Sequence, residues 1–211
     1  MIGRKFLLAT LCIMMFLCGY SGVHAEEIKF QDVSKDHWAI DTIQWAVKEK
    51  IVDGYLDNTF KPEQVVGQKE FITLLIRTFK PSDFSLDDPN NTGEWSYPYT
   101  HFAFSYGWYV IVPFHQPKGS DIGLARGQAA KIIADATGKN YNQQDSIRYL
   151  LDNGFVEGKI DNSLDGFKEG DPLTRAEALT MIKRVRSKMD KLQKSPEETV
   201  KYEPKSEKSE K

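Results

Sequence analysis

The sequence predicts a mainly α protein built from three similar helical units in series, on three observations. Apolar residues recur at helical spacing, as at Ile40, Ile43, Ala46 and Val47. The stretch Pro172-Leu173-Thr174-Arg175-Ala176-Glu177 sets a threonine and a glutamate at the S/T-x-x-E spacing of a capping box, just before the apolar run Ala178 to Ile182. The chain also resembles itself: at an offset of 104 residues Ile43 meets Ile147, Trp45 meets Tyr149, Val47 meets Leu151, Val52 meets Val156 and Gly54 meets Gly158.

The first unit, residues 28–82, enters through Phe30-Gln31-Asp32-Val33 and Asp36-His37-Trp38-Ala39 before its first helix. Asp57-Asn58-Thr59 supplies turn residues, and a second helix follows with Phe71, Leu74, Leu75 and Phe79 facing inward and Pro81 marking its end. In the third unit, residues 140–187, a three-residue insertion between Lys159 and Gly166 brings Phe60-Lys61 onto Phe167-Lys168 and Gly67-Gln68-Lys69-Glu70 onto Thr174-Arg175-Ala176-Glu177. The middle unit, residues 83–139, is more divergent. There Trp38 meets Trp95, Trp45 meets Phe102 and Gln68 meets Arg126, with Ala125 at a cap position that alanine fills poorly. Each unit has too little apolar face to fold alone, so the three are expected to share one core.

Met1 to Ala25 reads as a secretory signal peptide: a basic start at Arg4 and Lys5, an apolar core from Phe6 to Leu17, and Val23-His24-Ala25 before Glu26. That core falls short of the roughly 20 residues that span a bilayer, so no transmembrane segment is expected after cleavage. Both cysteines, Cys12 and Cys18, lie inside the signal, and the mature chain must be held by an ordinary apolar core. Without Arg4 and Lys5, 26 basic residues face 30 acids, a net charge of -4. With no basic run in the folded part, nucleic acid is not an expected partner. Residues 188–211 alternate lysine with glutamate and read as a charged, disordered tail.

Arg175 is the residue the cap does not explain. A cation in the first helical turn meets the positive end of the macrodipole, at a cost of roughly 0.3 to 1 kcal/mol. A guanidinium beside free helix N–H groups suits a carboxylate, and Arg126 offers the same in the middle unit. Gln68, in the same place of the first unit, cannot make a charge-assisted pair, and Lys69 is turned about 100° around the helix; two competent sites at most are therefore expected. The alternative for both arginines is a salt bridge between units. Trp38, Trp95 and Tyr55 offer flat faces to sugar rings. The aromatic run Trp95 to Phe114 reads as a tightly packed middle unit, with an exposed contact patch as its alternative. Asp161-x-Ser163-x-Asp165-Gly166 copies the first half of a calcium loop, but Pro172 stands where the bidentate glutamate belongs, so no metal is expected. No catalytic motif or cofactor-binding loop is present.

Phe30-x-Asp32-Val33, His37-Trp38-Ala39, Gly54-Tyr55, Phe60-x-Pro62 and Leu173-Thr174-Arg175-Ala176-Glu177 resemble the signature positions of the S-layer homology family, and the three-unit pattern covers about residues 28–187. The resemblance implies a pseudo-threefold spindle on a bacterial surface, secreted and associated with the cell wall or S-layer. It further implies a non-enzymatic protein that holds a peptidoglycan-linked, anionic secondary cell-wall polysaccharide in grooves between repeats, the arginine meeting a pyruvate ketal, with S-layer proteins as a further partner. On that basis Arg175, Arg126, Thr174, Glu177, Trp38, Trp95 and Tyr55 are the candidate ligand residues. The rival expectations are a surface module that binds a protein through the aromatic middle unit, and a wall hydrolase.

Overall fold

Cap and turn chemistry sets where the helices begin. The computed structural model describes residues 29–91, 93–111 and 122–204, so the expected signal peptide, Phe114 and residues 205–211 lie outside the described residues. Within them the chain is mainly helical: α1 Ile40–Lys48, α2 Gln68–Phe79, α3 Tyr97–Ser105, α4 Arg126–Ala136, α5 Gln143–Asp152, the short α6 Leu164–Phe167, and α7 Arg175–Lys188. Among the described residues no helix is long and apolar enough to cross a membrane.

The predicted capping box opens α7. Glu177 N donates to Thr174 Oγ1 at 3.3 Å and Thr174 N donates to Glu177 Oε2 at 3.2 Å. At α4 alanine has no oxygen to offer, and only the return half survives, Ala125 N donating to Gln128 Oε1 at 2.9 Å. Asn142 caps α5 by accepting from Asp145 N at 2.9 Å. Lys80 closes α2 in a left-handed conformation just before Pro81.

The helices pack in a cycle. α2 of the first unit lies against α3 of the second, α4 of the second against α5 of the third, and α7 of the third against α1 of the first. These contacts cross unit boundaries, which is why no unit could bury its apolar face alone. At the axis the three segments that precede α2, α4 and α7 close a ring of backbone hydrogen bonds. Val66 N donates to Leu173 O at 3.0 Å, Leu173 N to Leu124 O at 2.9 Å, and Leu124 N to Val66 O at 2.8 Å. All three side chains are buried. Isolated antiparallel bridges Val65–Thr174, Gly67–Gly123 and Ala125–Pro172 flank the ring. Gly123 eases the close approach here, because a Cβ at that position would stand 3.1 Å from Val65 Cγ1.

The middle unit turns its aromatics inward. Tyr97, Tyr99, Phe102 and Trp108 are buried, with Phe102 stacked on Tyr106 at 4.2 Å and edge-on to Trp108. Trp95, Phe104 and Tyr109 stay exposed.

The tail corrects an expectation. Residues 189–204 do not trail as disordered chain; they strap across the ends of α3 and α4 onto α5. Gln193 N donates to Ala136 O at 2.8 Å, Ser195 N to Tyr106 O at 2.8 Å and Val200 N to Asn140 O at 2.9 Å, while Trp108 Nε1 donates to Gln193 O at 2.9 Å. Leu192 is buried, and Tyr202 enters a cluster with Tyr141 and Tyr149. Gly107 and Gly138, both at positive φ, leave room for the strap. Composition missed this because the segment is held by its backbone and two side chains rather than by overall apolarity.

Candidate functional site

The arginines open helices whose first N–H groups face loops of other units. Arg126 N donates to Asp171 O at 2.9 Å and Gly127 N to Glu169 O at 2.8 Å; Arg175 N donates to Gln64 O and Ala176 N to Pro62 O, both at 2.9 Å. The expectation that these N–H groups are free to take a carboxylate is therefore corrected: backbone carbonyls of another unit fill them, because the ring at the axis seats each helix start against a neighbouring loop.

The guanidinium groups are also engaged across units. Arg126 is 4 % exposed. Its Nε donates to Phe167 O at 3.0 Å, Nη2 to Glu157 O at 3.4 Å, and Nη1 stands 3.5 Å from Glu177 Oε2, with the Phe167 ring 4.9 Å from Cζ. Arg175, 6 % exposed, pairs through Nη1 with Glu70 and through Nη2 with Asp53 O at 2.8 Å. The Phe60 ring lies 4.8 Å and the Tyr55 ring 5.3 Å from its Cζ. Its Nε–H is buried without a hydrogen-bond partner among the described residues. The salt bridge between units, the alternative reading, is thus present at both positions, the glutamate of one unit meeting the arginine of the unit beside it.

The third position of this cycle has lost both members of the pair. Gln68 replaces the arginine and Gln128 the glutamate. Main chain fills the space: Ile111 N donates to Gln68 Oε1 at 2.7 Å and Gln68 Nε2 to Tyr109 O at 3.3 Å. Nine residues past Gln68, Arg126 and Arg175 stand Arg77, Asp135 and Arg184, so the charge is reversed in α4. Asp135 is fully buried, and its carboxylate accepts from Lys131 Nζ at 2.5 Å and Tyr109 N at 2.9 Å. Burial pushes its pKa up against the pull of Lys131. Lys69 is buried and pairs with Glu94.

An open groove remains at Arg126. Its volume is about 260 Å³, and Trp38 of the first unit, Arg126 of the second, and Glu157, Lys159, Glu177 and Arg184 of the third line it. Trp38, 60 % exposed, lines this groove with its ring stacked on His37 at 5.7 Å. Lys159 hydrogen-bonds Asp171 at 2.8 Å and sits 3.9 Å from Glu177. The Asp171 carboxylate, joined by Glu177, raises its pKa and keeps it charged. Arg184 Nη1 meets Glu157 Oε1 at 2.5 Å. The groove therefore joins one aromatic face to three cations and two carboxylates, an arrangement suited to a sugar that carries an acid group.

Of the candidate residues, this groove gathers Arg126, Glu177 and Trp38. Thr174 spends its hydroxyl on the α7 cap. Tyr55 and Arg175 meet at a separate junction, where Lys61 Nζ lies 4.0 Å from the Tyr55 ring centre; Trp95 is exposed and outside the Arg126 groove. Lys159 and Arg184 escaped the sequence reading. Arg184 stands seven residues after Glu177, two turns along the same helix face, whereas Lys159 sits in the loop that carries the insertion and lacks an aligned counterpart.

No curated protein matches this chain. A family model described as the S-layer homology domain matches residues 29–72, which take in Trp38, Tyr55, α1 and the opening of α2. The stretch 29–72 is thus similar to the S-layer homology domain, a likeness that indicates attachment to the cell surface or cell wall.

Proposed function

We propose that the protein is a secreted, non-enzymatic wall-binding protein, that all three of its units are S-layer homology repeats, and that it grips an anionic secondary cell-wall polysaccharide at the Arg126 groove. One observation carries the reading: Trp38, Arg126, Lys159 and Arg184, drawn from three units, converge on one open groove. In it the Trp38 ring supports a sugar face, and Arg126, Lys159 and Arg184 share the acid substituent, a pyruvate ketal or a similar carboxylate. Glu177 orients Arg126 and accepts from sugar hydroxyls. The Arg175 junction, closed by Glu70 and Tyr55, is the weaker second site, and the Gln68 position is filled by the chain itself. The rival protein-binding surface loses ground because Tyr97, Tyr99, Phe102 and Trp108 of the aromatic run are buried.

Co-sedimentation of the mature protein with native walls, and with walls stripped of their secondary polysaccharide, tests the proposal. Arg126→Gln copies the residue the chain already uses at position 68. Loss of a charge-assisted contact of about 1.5 to 3 kcal/mol predicts a 10- to 150-fold weaker association. Undiminished sedimentation of this variant, or equal sedimentation with stripped walls, refutes the assignment.

A further inference from the structure

We infer that the Arg126 groove continues along α7 as a cationic track over Lys183 and Lys188, which takes a second acid substituent of the same polysaccharide chain. The inference rests on the proposed polysaccharide reading of that groove. A second hollow of about 390 Å³ adjoins it, lined by Thr42 of α1 and by Thr180, Lys183, Arg184, Ser187 and Lys188 of α7, and shares Thr180 and Arg184 with it. The hollow's lining holds three cations and no acid. Groove and hollow together set five cations against Glu157 and Glu177, in a chain whose formal net charge is -2.

The partners of these cations sharpen the contrast. Arg126 and Lys159 meet Glu177 and Arg184 meets Glu157 in the groove. Among the described residues Lys183 Nζ donates only to the Asp41 carbonyl, at 3.3 Å, and lies 5.4 Å from the Trp45 ring centre. Among the described residues neither Lys183 nor Lys188 forms an ion pair. The negative end of the α7 dipole favours Lys188, and the Trp45 ring favours Lys183. Neither effect accounts for two lysines and an arginine lining one hollow with two threonines, a serine and no acid.

Geometry gives the track its direction. Thr180, Arg184 and Lys188 follow one another at i, i+4 and i+8, a single stripe on the helix surface. At 1.5 Å per residue the stripe runs about 12 Å from Thr180 to Lys188, further than a single sugar ring reaches. Arg184 borders both spaces and serves both ends of the ligand, while Thr42, and the Thr180 and Ser187 hydroxyls, which donate to Ala176 O and Arg184 O and keep lone pairs to accept, suit the uncharged sugar between two acid groups. The ligand class that follows is a linear polysaccharide with an acid group on each repeat, held at more than its terminal unit.

Calorimetry on the mature chain tests this with two probes: a monosaccharide carrying one pyruvate ketal, and size-fractionated fragments of a pyruvylated wall polysaccharide with a ketal on each repeat. Exposed ion pairs being weak, the two lysines together should make the fragment bind about fivefold tighter than the monosaccharide at low salt, and the difference should shrink as salt rises. Lys183→Gln/Lys188→Gln, which keeps most of each aliphatic stem, should abolish that difference and leave the monosaccharide affinity unchanged. A fragment no tighter than the monosaccharide, or a double variant that keeps the full difference, overturns the inference. Arg126→Gln separates the two readings. If it weakens both probes while the lysine variant changes nothing, the track alone falls; if it changes neither, the groove falls and the track with it.

Discussion

Replacing Glu70 by glutamine should destabilise the protein by leaving the Arg175 guanidinium charged and unpaired inside the junction between the third and first units. After that change Arg175 keeps the Asp53 carbonyl at 2.8 Å and the Phe60 ring at 4.8 Å, and its Nε–H is already without a partner among the described residues. Stranding one member of a buried ion pair costs roughly 3 to 5 kcal/mol. The Glu70 side chain is 22 % exposed, so water reaches the gap and about 2 to 3 kcal/mol is expected. For a domain of this size that lowers Tm by about 4 to 12 °C. Glu70→Gln/Arg175→Gln rebuilds the neutral pairing that Gln68 and Gln128 represent at the third position, and should recover about 1 kcal/mol over Glu70→Gln alone. Urea unfolding of the two single variants and the double variant, followed by circular dichroism, closes the cycle. A coupling energy near 2 kcal/mol is expected; a value below about 0.5 kcal/mol, the scatter of independent sites, refutes the claim that this pair staples the units.

Truncation after Lys188 should expose Trp108 and cost at least about 2 kcal/mol, the scale of burying one leucine such as Leu192; an unchanged tryptophan emission maximum together with an unchanged melting curve would contradict the strap. Asp135 gives a pH signature. Its folded pKa lies above the ordinary 3.8, so its ionisation opposes folding at neutral pH, and that penalty is relieved as pH falls through the folded value toward 3.8. The stability of the native protein relative to Asp135→Asn should therefore improve on acidification from pH 7 toward 4 in urea titrations. A relative stability that worsens over that range goes against the assigned shift.

The candidate site was legible in part, for reasons its residues make plain. Arg126, Trp38 and Glu177 were found because each stands at a repeated position, and repetition is visible along the chain. Lys159 and the strap contacts of Gln193, Ser195 and Tyr202 follow no repeat. The opposite error came from reading a helix start in isolation: free N–H groups at Arg126 and Arg175 are a property of the lone helix, and Asp171 and Gln64 of neighbouring loops remove it.

The sequence by itself determined the mainly helical class and the Thr174–Glu177 cap, because periodicity and capping are settled within a turn or two of chain. Only the tertiary structure decided which unit packs on which, that Glu70 and Glu177 neutralise the arginines of other units, and that Tyr109 to Ile111 fill the Gln68 position while the Arg126 position stays open. Those outcomes depend on groups far apart in the chain, such as Arg175 and Asp53, which meet only after the ring of Val66, Leu124 and Leu173 has closed. A local pattern carries no record of that closure.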